Sequence, residues 1–430
     1  MFNRMKNKLL ITTALVALFS ANNAFSQVRE DLIVDSQTPI SNQGIDEEPY
    51  YYKSIKVEKE GSLNIETSNI KTEQDITVLG GLDLKNSVLE AGNDADDQPN
   101  NSNILLDGAT VTMNDSDLEA NGNITIKDTS LSSVSTIGEP DNYGIWADGN
   151  ITIENSNINL EKSYIDSFGD ITIDGGVINM ANMEINSWRG NLNVNGGEIN
   201  FKGDEDSETL LYARKELNIN GGVINMGGAK PIIDNIADSE PDAYPAYDLN
   251  INGGTINVTG KQAEISSSKN VNINGGTINI AEGSTLGIYG GNDQTPTTAQ
   301  LGSAAILNIS GTLDTSLNGN GTLNFNSNSG KITGDVNMTS GGIMNVGLNN
   351  AVIDGDATFN SGSTLKLKIA DSGNGSLQAA NITGKEGSKL ALNITKKMEI
   401  GQTLEDVALL KGNVDNHFTN EISNNRYKVT

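Results

Sequence analysis

The sequence contains no cysteine, one histidine and only 20 aromatic residues among 430. The lack of cysteine excludes disulfide scaffolds, thiolate zinc sites and cysteine nucleophiles. The single histidine, His417, leaves almost nothing for histidine-based acid–base or metal chemistry. Basic residues are scarce too, with 28 Lys and Arg against 55 Asp and Glu. The net charge of −27 argues against a nucleic acid partner, because the phosphates would be repelled.

The N-terminus has the pattern of a secretory signal peptide. Arg4, Lys6 and Lys8 precede an apolar stretch at 9–19, and Ala24-Phe25-Ser26 supplies small residues before a cleavage point. The apolar stretch has 11 residues, whereas a membrane-spanning helix needs about 20. We therefore expect residues 1–26 to be removed and the remaining chain to be exported.

Glycine and asparagine are abundant, with 47 and 58 residues, and they mark an internal repeat. Five segments read almost identically: DITIDGGVINM (170–180), NLNVNGGEINF (191–201), ELNINGGVINM (216–226), DLNINGGTINV (248–258) and NVNINGGTINI (270–280). Three degenerate copies precede them at 103–113, 123–133 and 150–160. The shortest spacings between copies are 20 and 21 residues, so the base period is near 21, and longer spacings require inserted loops.

Each repeat predicts three short strands, because apolar residues alternate with polar ones around the Gly pair and recur once more before the next copy. A unit of this kind buries its apolar face only by stacking on copies of itself. The predicted fold is all-β, a right-handed parallel β-helix with coils of about 21 residues and three strands each. One inward column is predicted to contain Ile151, Ile171, Leu192, Leu217, Leu249 and Val271. One outward ladder of amides is predicted to contain Asn159, Asn179, Asn200, Asn225, Asn257 and Asn279.

The Gly-Gly motif fades after about residue 300, but strand alternation persists in AVIDGDATFNSGSTLKLKI and LQAANITGKEGSKLALNIT. These segments resemble the stem of autotransporter (type V secretion) passenger domains, and residues 400–430 resemble the cap-like region that follows that stem. The resemblance implies a cap or linker at 27–53, a β-helix at 54–300, a stem at 301–398 and a pre-barrel segment at 399–430. The C-terminal barrel of that family is absent from this chain, so membrane anchoring is expected only through a barrel supplied elsewhere.

Catalytic and metal-binding patterns are weak. Asp371-Ser372-Gly373 is similar to a serine-protease nucleophile, but no histidine precedes it to act as the base. Residues 290–293 (GGND) are a fragment of the nonapeptide calcium-repeat pattern, and the acidic residues 204–206 offer oxygen ligands for a hard cation, although a solvated loop is the simpler interpretation of both. We therefore predict no catalytic residue, no metal site and no cofactor. The alternative is a secreted β-helix polysaccharide lyase or hydrolase, in which paired carboxylates and calcium act without histidine.

Recognition is expected on the inserted loops and on exposed aromatic residues, because a solenoid varies its loops without disturbing its core. The insertions fall at 92–101, 138–143, 204–208 and 236–247. The aromatic residues predicted to form a partner-binding ridge are Trp146, Phe168, Trp188 and Tyr212. The function predicted is that of an exported, surface-associated or released structural and adhesive rod, monomeric and not an enzyme. Its partner is expected to be a glycan or protein of a host or neighbouring cell.

Overall fold

The computed structural model describes residues 30–41, 49–92, 101–136, 143–204, 208–235, 245–291, 295–397 and 409–422. These ranges contain 48 β-strands and no helix. The predicted signal peptide lies outside them, as do most of the loops at 92–101, 138–143 and 236–247 and the centre of the loop at 204–208. The predicted all-β parallel solenoid is confirmed.

Most strands pair in parallel with the strand three positions later in the chain, so three strands make one coil and three sheets run along the rod. The first sheet contains β1 (Leu32–Val34), β4 (Ile55–Val57), β7 (Ile76–Val78), β10 (Ile104–Asp107), β13 (Ile124–Lys127), β16 (Ile151–Glu154), the start of β19 (Ile171–Ala181), the start of β21 (Leu192–Phe201), β23 (Leu217–Ile219), β26 (Leu249–Ile251), β29 (Val271–Ile273), β33 (Thr298–Leu301), β36 (Ser316–Gly319), β39 (Val336–Met338), β42 (Ala357–Phe359), and the ends of β45 (Ser376–Gly384) and β47 (Leu410–Asn416).

The second sheet contains β2 (Gln37–Ser41), β5 (Ser62–Glu66), β8 (Gly81–Lys85), β11 (Thr110–Asn114), β14 (Ser130–Val134), β17 (Ser156–Glu161), the ends of β19 and β21, β24 (Val223–Met226), β27 (Thr255–Val258), β30 (Thr277–Ile280), β34 (Ile306–Ile309), β37 (Thr322–Phe325), β40 (Ile343–Val346), β43 (Thr364–Ala370), β46 (Lys389–Ile394) and β48 (Thr419–Ile422). The strands β19 and β21 each serve two sheets, because strand pairing resumes directly on both sides of the Gly pair, whose second Gly has a positive φ.

The third sheet contains β3 (Tyr50–Tyr52), β6 (Asn69–Thr72), β9 (Val88–Ala91), β12 (Asp117–Ala120), β15 (Gly144–Ala147), β18 (Tyr164–Ser167), β20 (Glu184–Ser187), β22 (Glu208–Ala213), β25 (Lys230–Asn235), β28 (Ala263–Ser267), β31 (Thr285–Gly290), β35 (Thr312–Asp314), β38 (Lys331–Ile332), β41 (Asn350–Ile353) and the starts of β45 and β47. Two short strands, β32 (Thr295–Pro296) and β44 (Gly373–Asn374), pair antiparallel with β31 and β43.

The core is one continuous column of branched aliphatic side chains. The predicted inward column is confirmed, because Ile151, Ile171, Leu192, Leu217, Leu249 and Val271 pair in register and are fully buried. Small residues fill the tight corner at the end of the third strand. Ser167 and Ser187 lie there and donate their hydroxyl protons to the carbonyl oxygens of Gly149 and Gly169 at 2.6 and 2.7 Å.

The predicted amide ladder is also confirmed, and it continues further than expected. Nδ2 of each Asn donates to Oδ1 of the Asn one coil earlier, at 2.7 Å between Asn179 and Asn159 and at 2.8 Å between Asn279 and Asn257. The same ladder runs on through Asn308, Asn324 and Asn345. Further amide ladders on the first sheet join Asn193, Asn218, Asn250 and Asn272, and Asn195, Asn220, Asn252 and Asn274.

Left-handed backbone conformations mark the turn between the first and second strands. In the well-formed repeats the second Gly of each pair has a positive φ, as at Gly197 and Gly222. In the degenerate repeats Asp128 and Asn155 adopt the same conformation, with φ of 47° at each. Aspartate and asparagine tolerate this region better than most residues, so the turn survives where the sequence motif fades.

Parallel pairing also runs across the predicted segment boundaries. The strand β1, within the predicted cap or linker, pairs with β4, and β29 pairs with β33 across residue 300. The strand β45 pairs with β47, which lies within the predicted pre-barrel segment. The division of the chain into those segments stays a prediction.

Candidate partner-binding face

The three faces of the rod differ in chemistry. The first and second sheets present outward Thr and Asn residues whose amides bond to one another along the rod. The third sheet presents aromatic rings together with carboxylates. Exposed carboxylates also lie on the second sheet, as at Asp83 and Glu198, but the outward aromatic rings are concentrated on the third sheet, and we describe its outward residues as the candidate site.

In each strand of the third sheet, two outward side chains flank a buried central residue, because successive side chains in a strand point to opposite sides. Stacked over successive coils, these side chains form two outward rows along the rod. One row contains Asp117, Gly144, Tyr164, Glu184, Leu210, Ile232, Glu264, Gly287 and Asp314. The other contains Glu119, Trp146, Asp166, Asn186, Tyr212, Asp234, Ser266 and Tyr289. Between β12 and β35, every charged residue in these two rows is acidic; beyond Glu119 the second row continues through Glu90 to Lys71, which forms an ion pair with Glu90. We call these rows, together with Phe168 and Trp188, the acidic-aromatic strip.

The sequence-predicted aromatic residues all lie in this strip, where they form two pairs. Trp146 and Phe168 pack edge to face with ring centroids 4.8 Å apart. The guanidinium carbon of Arg189 lies 4.6 Å from the centroid of the Phe168 ring, a cation–π contact. The Trp146 indole N–H donates to Asp148 Oδ1 at 3.0 Å. Both rings are half-buried.

The second pair lies on the next two coils. Trp188 and Tyr212 have ring centroids 5.9 Å apart with a tilt of 56°. The Trp188 indole N–H donates to Asp166 Oδ2 at 3.0 Å, so this ring lies across the outward row of the coil before it. Trp188 is half-buried and Tyr212 is buried, with 8% of its surface exposed. The structure thus brings the four residues onto one face, and their role in binding a partner stays a prediction.

Asn186 lies in the same outward row, between Asp166 and Tyr212. It is 2% exposed. Its Nδ2 donates to Glu184 Oε2 at 2.7 Å, while its Oδ1 is buried without a hydrogen-bond partner. An acceptor buried without a donor costs about 1–3 kcal/mol.

A second polar cluster joins three coils at one end of the strip. The Tyr164 hydroxyl donates to Asp117 Oδ1 at 3.2 Å, and the Gly144 N–H donates to the same oxygen at 2.9 Å. Gly144 makes this reach possible, because a Cβ there would lie 2.8 Å from Tyr164 Cγ. Burial raises the pKa of Asp117 to about 6 despite these two hydrogen bonds. Burial, followed by the charge of Asp117, raises the pKa of Tyr164.

The far end of the strip repeats this combination of a tyrosine and carboxylates. The Tyr289 hydroxyl donates to Asp314 Oδ2 at 3.4 Å, and burial followed by the charge of Asp314 raises the pKa of Tyr289. Burial also raises the pKa of Glu264. The Ser266 hydroxyl donates to Asp234 Oδ1 at 2.9 Å.

Sequence reasoning identified the four aromatic residues but missed the carboxylates that surround them. Asp117, Glu119, Glu184, Asp234 and Glu264 each occupy the position directly before or after the central apolar residue of a third strand. That regular position was a detectable pattern in the sequence.

The other sequence-predicted chemistry is dispersed. Asp371 Oδ1 accepts the Lys397 N–H at 3.2 Å, and His417 Nε2 lies 3.1 Å from Asp415 Oδ1 at the exposed C-terminal coil. Asp204 is engaged by Asn182, whose Nδ2 donates to Asp204 Oδ2 at 2.9 Å. Residues 205–206 and 292–293 of the two candidate calcium fragments lie outside the described residues. Within the described ranges, no group of three or more His and acidic residues could hold a metal ion.

A comparison of the chain with protein-family models, with curated proteins and with solved structures finds no match. The class of the protein therefore comes from its own strands: it is a parallel β-solenoid built from a degenerate repeat. Among the residues that the structure describes, no helix is long and apolar enough to cross a membrane.

Proposed function

We propose that this protein is an exported adhesive rod, similar to an autotransporter passenger, that acts at the cell surface or after release. It acts as a monomer and without catalysis, and it binds a protein or glycan of a host or neighbouring cell. The observation that carries the proposal is the chemical difference between the three faces. Two faces use their amides in ladders along the rod, whereas the third gathers aromatic rings and carboxylates.

Export is supported by the sequence of the first 26 residues, with its basic start, apolar stretch and small residues before Gln27. Binding on the third face is supported by the composition of protein interfaces. Tryptophan and tyrosine are enriched at binding hot spots, because they supply a large contact area at a low cost in conformational entropy.

Adhesion of beads coated with the exported chain to cultured cells tests the proposal. The test variant replaces Trp146, Phe168, Trp188 and Tyr212 with alanine. We expect it to lose most of the adhesion. Circular dichroism should still show β-structure, because the central core column of the third sheet is untouched. Its melting temperature should fall moderately, since the rings also pack on one another.

A matched control removes exposed apolar surface elsewhere on the rod. Ile33, Ile306 and Val414 are 60%, 38% and 37% exposed and lie outside the third sheet. Their triple replacement by alanine should leave adhesion unchanged. Equal adhesion by the aromatic variant and the wild type, or equal losses in both variants, would contradict the proposal that the partner binds to the third face.

A further inference from the structure

We propose that the acidic-aromatic strip binds an extended polypeptide segment rich in arginine, laid along the rod axis. This inference rests on the proposed function and names the chemical class of its partner. Three independent features of the strip support it: the sign of its charge, the contact that it already makes with an arginine, and a buried acceptor.

The charge of the strip selects a cation. Both outward rows contain only acidic residues among their charged members, from Asp117 and Glu119 at one end to Asp314 at the other. Such a row attracts a basic partner and repels an acidic one. The remainder of the protein adds to this selection, because the whole sequence has a net charge of −27.

The aromatic pairs already hold a guanidinium. Phe168 has Arg189 over its ring and Trp146 at an edge-to-face contact. Both indole N–H groups already donate to carboxylates of this chain, at Asp148 and Asp166. Arg189 therefore shows the kind of group that this surface accepts: a planar cation over a ring, with carboxylates nearby.

Asn186 supplies the third feature. Its buried Oδ1 lacks a donor and lies in the row between Asp166 and Tyr212. A guanidinium has five N–H donors, so an arginine that displaces the side chains covering Asn186 can contact an aromatic ring and a carboxylate while also donating to this oxygen. Trp188 lies beside this row, so such an approach would change the surroundings of its indole ring.

The length of the strip sets the length of the partner. Adjacent strands lie about 4.8 Å apart, so the coils from Asp117 to Asp314 span roughly 40 Å. An extended chain covers at most about 3.3–3.6 Å per residue, so roughly 12 residues would follow the strip.

The protein carries its own reporter for the test, because its two tryptophans, Trp146 and Trp188, both lie in the strip. We would titrate the exported chain with a peptide of six Arg-Ser repeats and follow tryptophan fluorescence and peptide anisotropy. A peptide of six Glu-Ser repeats is the control for charge. We expect saturable binding and a tryptophan response with the basic peptide only, weakened when salt rises from about 0.05 to 0.5 M.

Two charge-matched variants locate the binding. The strip variant carries Glu119→Gln, Glu184→Gln and Glu264→Gln. The control variant carries Glu161→Gln, Glu198→Gln and Glu386→Gln, three exposed positions on or next to second-sheet strands. Both lose three negative charges. We expect the strip variant to bind the basic peptide at least about tenfold more weakly and the control variant to bind within about twofold of the wild type.

Several outcomes would overturn the inference. Equal weakening in both variants would mean that the peptide senses only net charge. Binding without a change in tryptophan fluorescence would place the peptide elsewhere on the rod. Saturable binding of a chitosan hexamer with no binding of the peptide would assign the strip to a cationic glycan. If the peptide fails to bind while the aromatic variant still loses cell adhesion, the partner class is wrong and the proposed function stands.

Discussion

The Tyr164 hydroxyl donates to Asp117 Oδ1 across an intervening coil, over a separation of 47 residues in the sequence. Gly144, on the coil between them, leaves room for the ring and donates its own N–H to the same oxygen. The contact ties three successive coils together through one carboxylate. Because that carboxylate is largely removed from water, the arrangement also makes stability depend on pH.

The first prediction concerns Asp117. Its pKa in the folded protein, about 6, is above its ordinary value of 3.8, so the folded state holds this proton more tightly. The free energy of unfolding therefore falls as pH rises from about 4 to 6, and the full cost of the buried charge persists above pH 6. Asp117→Asn removes the charge and keeps an acceptor oxygen. We expect it to stabilise the protein above pH 6 by up to about 3 kcal/mol.

Thermal unfolding of the variant and the wild type at a series of pH values measures this effect. The difference in melting temperature should be largest above pH 6 and should shrink as pH falls to 4. Asp83→Asn, at an exposed position of the second sheet, is the control for removing one charge. A difference between the two variants that stays constant over this pH range would contradict the assignment to Asp117.

The second prediction concerns the amide ladder. Asn257 donates to Asn225 and accepts from Asn279, so Asn257→Ala breaks the ladder on both sides. Asn345 donates to Asn324 and faces Lys366 on its other side, so Asn345→Ala removes one ladder bond. Each bond contributes about 0.5–1.5 kcal/mol. Urea titrations should give Asn257→Ala about twice the loss of Asn345→Ala, and equal losses would mean that the ladder bonds add nothing.

The third prediction separates the two members of a Gly pair. Gly197 has φ +83°, and a Cβ there would lie 2.8 Å from the carbonyl oxygen of Gly176. Gly196 has no positive φ, and a Cβ there would lie 3.4 Å from its nearest neighbour, the Asp174 carbonyl oxygen. We expect Gly197→Ala to cost about 1–3 kcal/mol and Gly196→Ala to change stability by less than about 1 kcal/mol.

Melting temperatures of the two alanine variants measured side by side decide the point. Both replacements change the chain by the same methyl group and lie next to each other, so a larger loss at Gly196 would show that the turn geometry is misassigned.

The fourth prediction concerns export. Cleavage is expected after Ser26, with Gln27 as the new N-terminus. Intact mass measurement and N-terminal sequencing of protein recovered from the culture medium or cell envelope check this directly. A chain that begins at Met1 in either fraction would refute the predicted processing.

The core and the ladders could be predicted from the sequence because they depend on periodicity alone. Once strands alternate and repeats stack in register, Ile171 must meet Ile151 and Leu192, and Asn179 must meet Asn159 and Asn200. The turn at Asn155 was harder to recognise, because its left-handed conformation comes from a residue other than glycine.

The details of the strip could not be predicted in this way. The reach of Tyr164 to Asp117 depends on the exact register of three coils and on the space above Gly144. The pairing of Trp188 with Tyr212 depends on side-chain packing over the outward rows. Neither contact follows from the repeat, because the residue type at these positions differs from one repeat to the next.

The second-sheet ladder has a consequence for how the molecule can change in length. Its partners lie 16 residues apart at Asn308 and Asn324 but 32 apart at Asn225 and Asn257, yet both bonds measure 2.8 Å. The ladder therefore depends on the stacking of successive coils and does not depend on the number of residues in each coil. Duplication or loss of an entire coil leaves every remaining neighbour with an equivalent surface to stack on. The length of the rod can thus be adjusted in evolution in steps of one strand spacing, about 4.8 Å, without redesign of the interior.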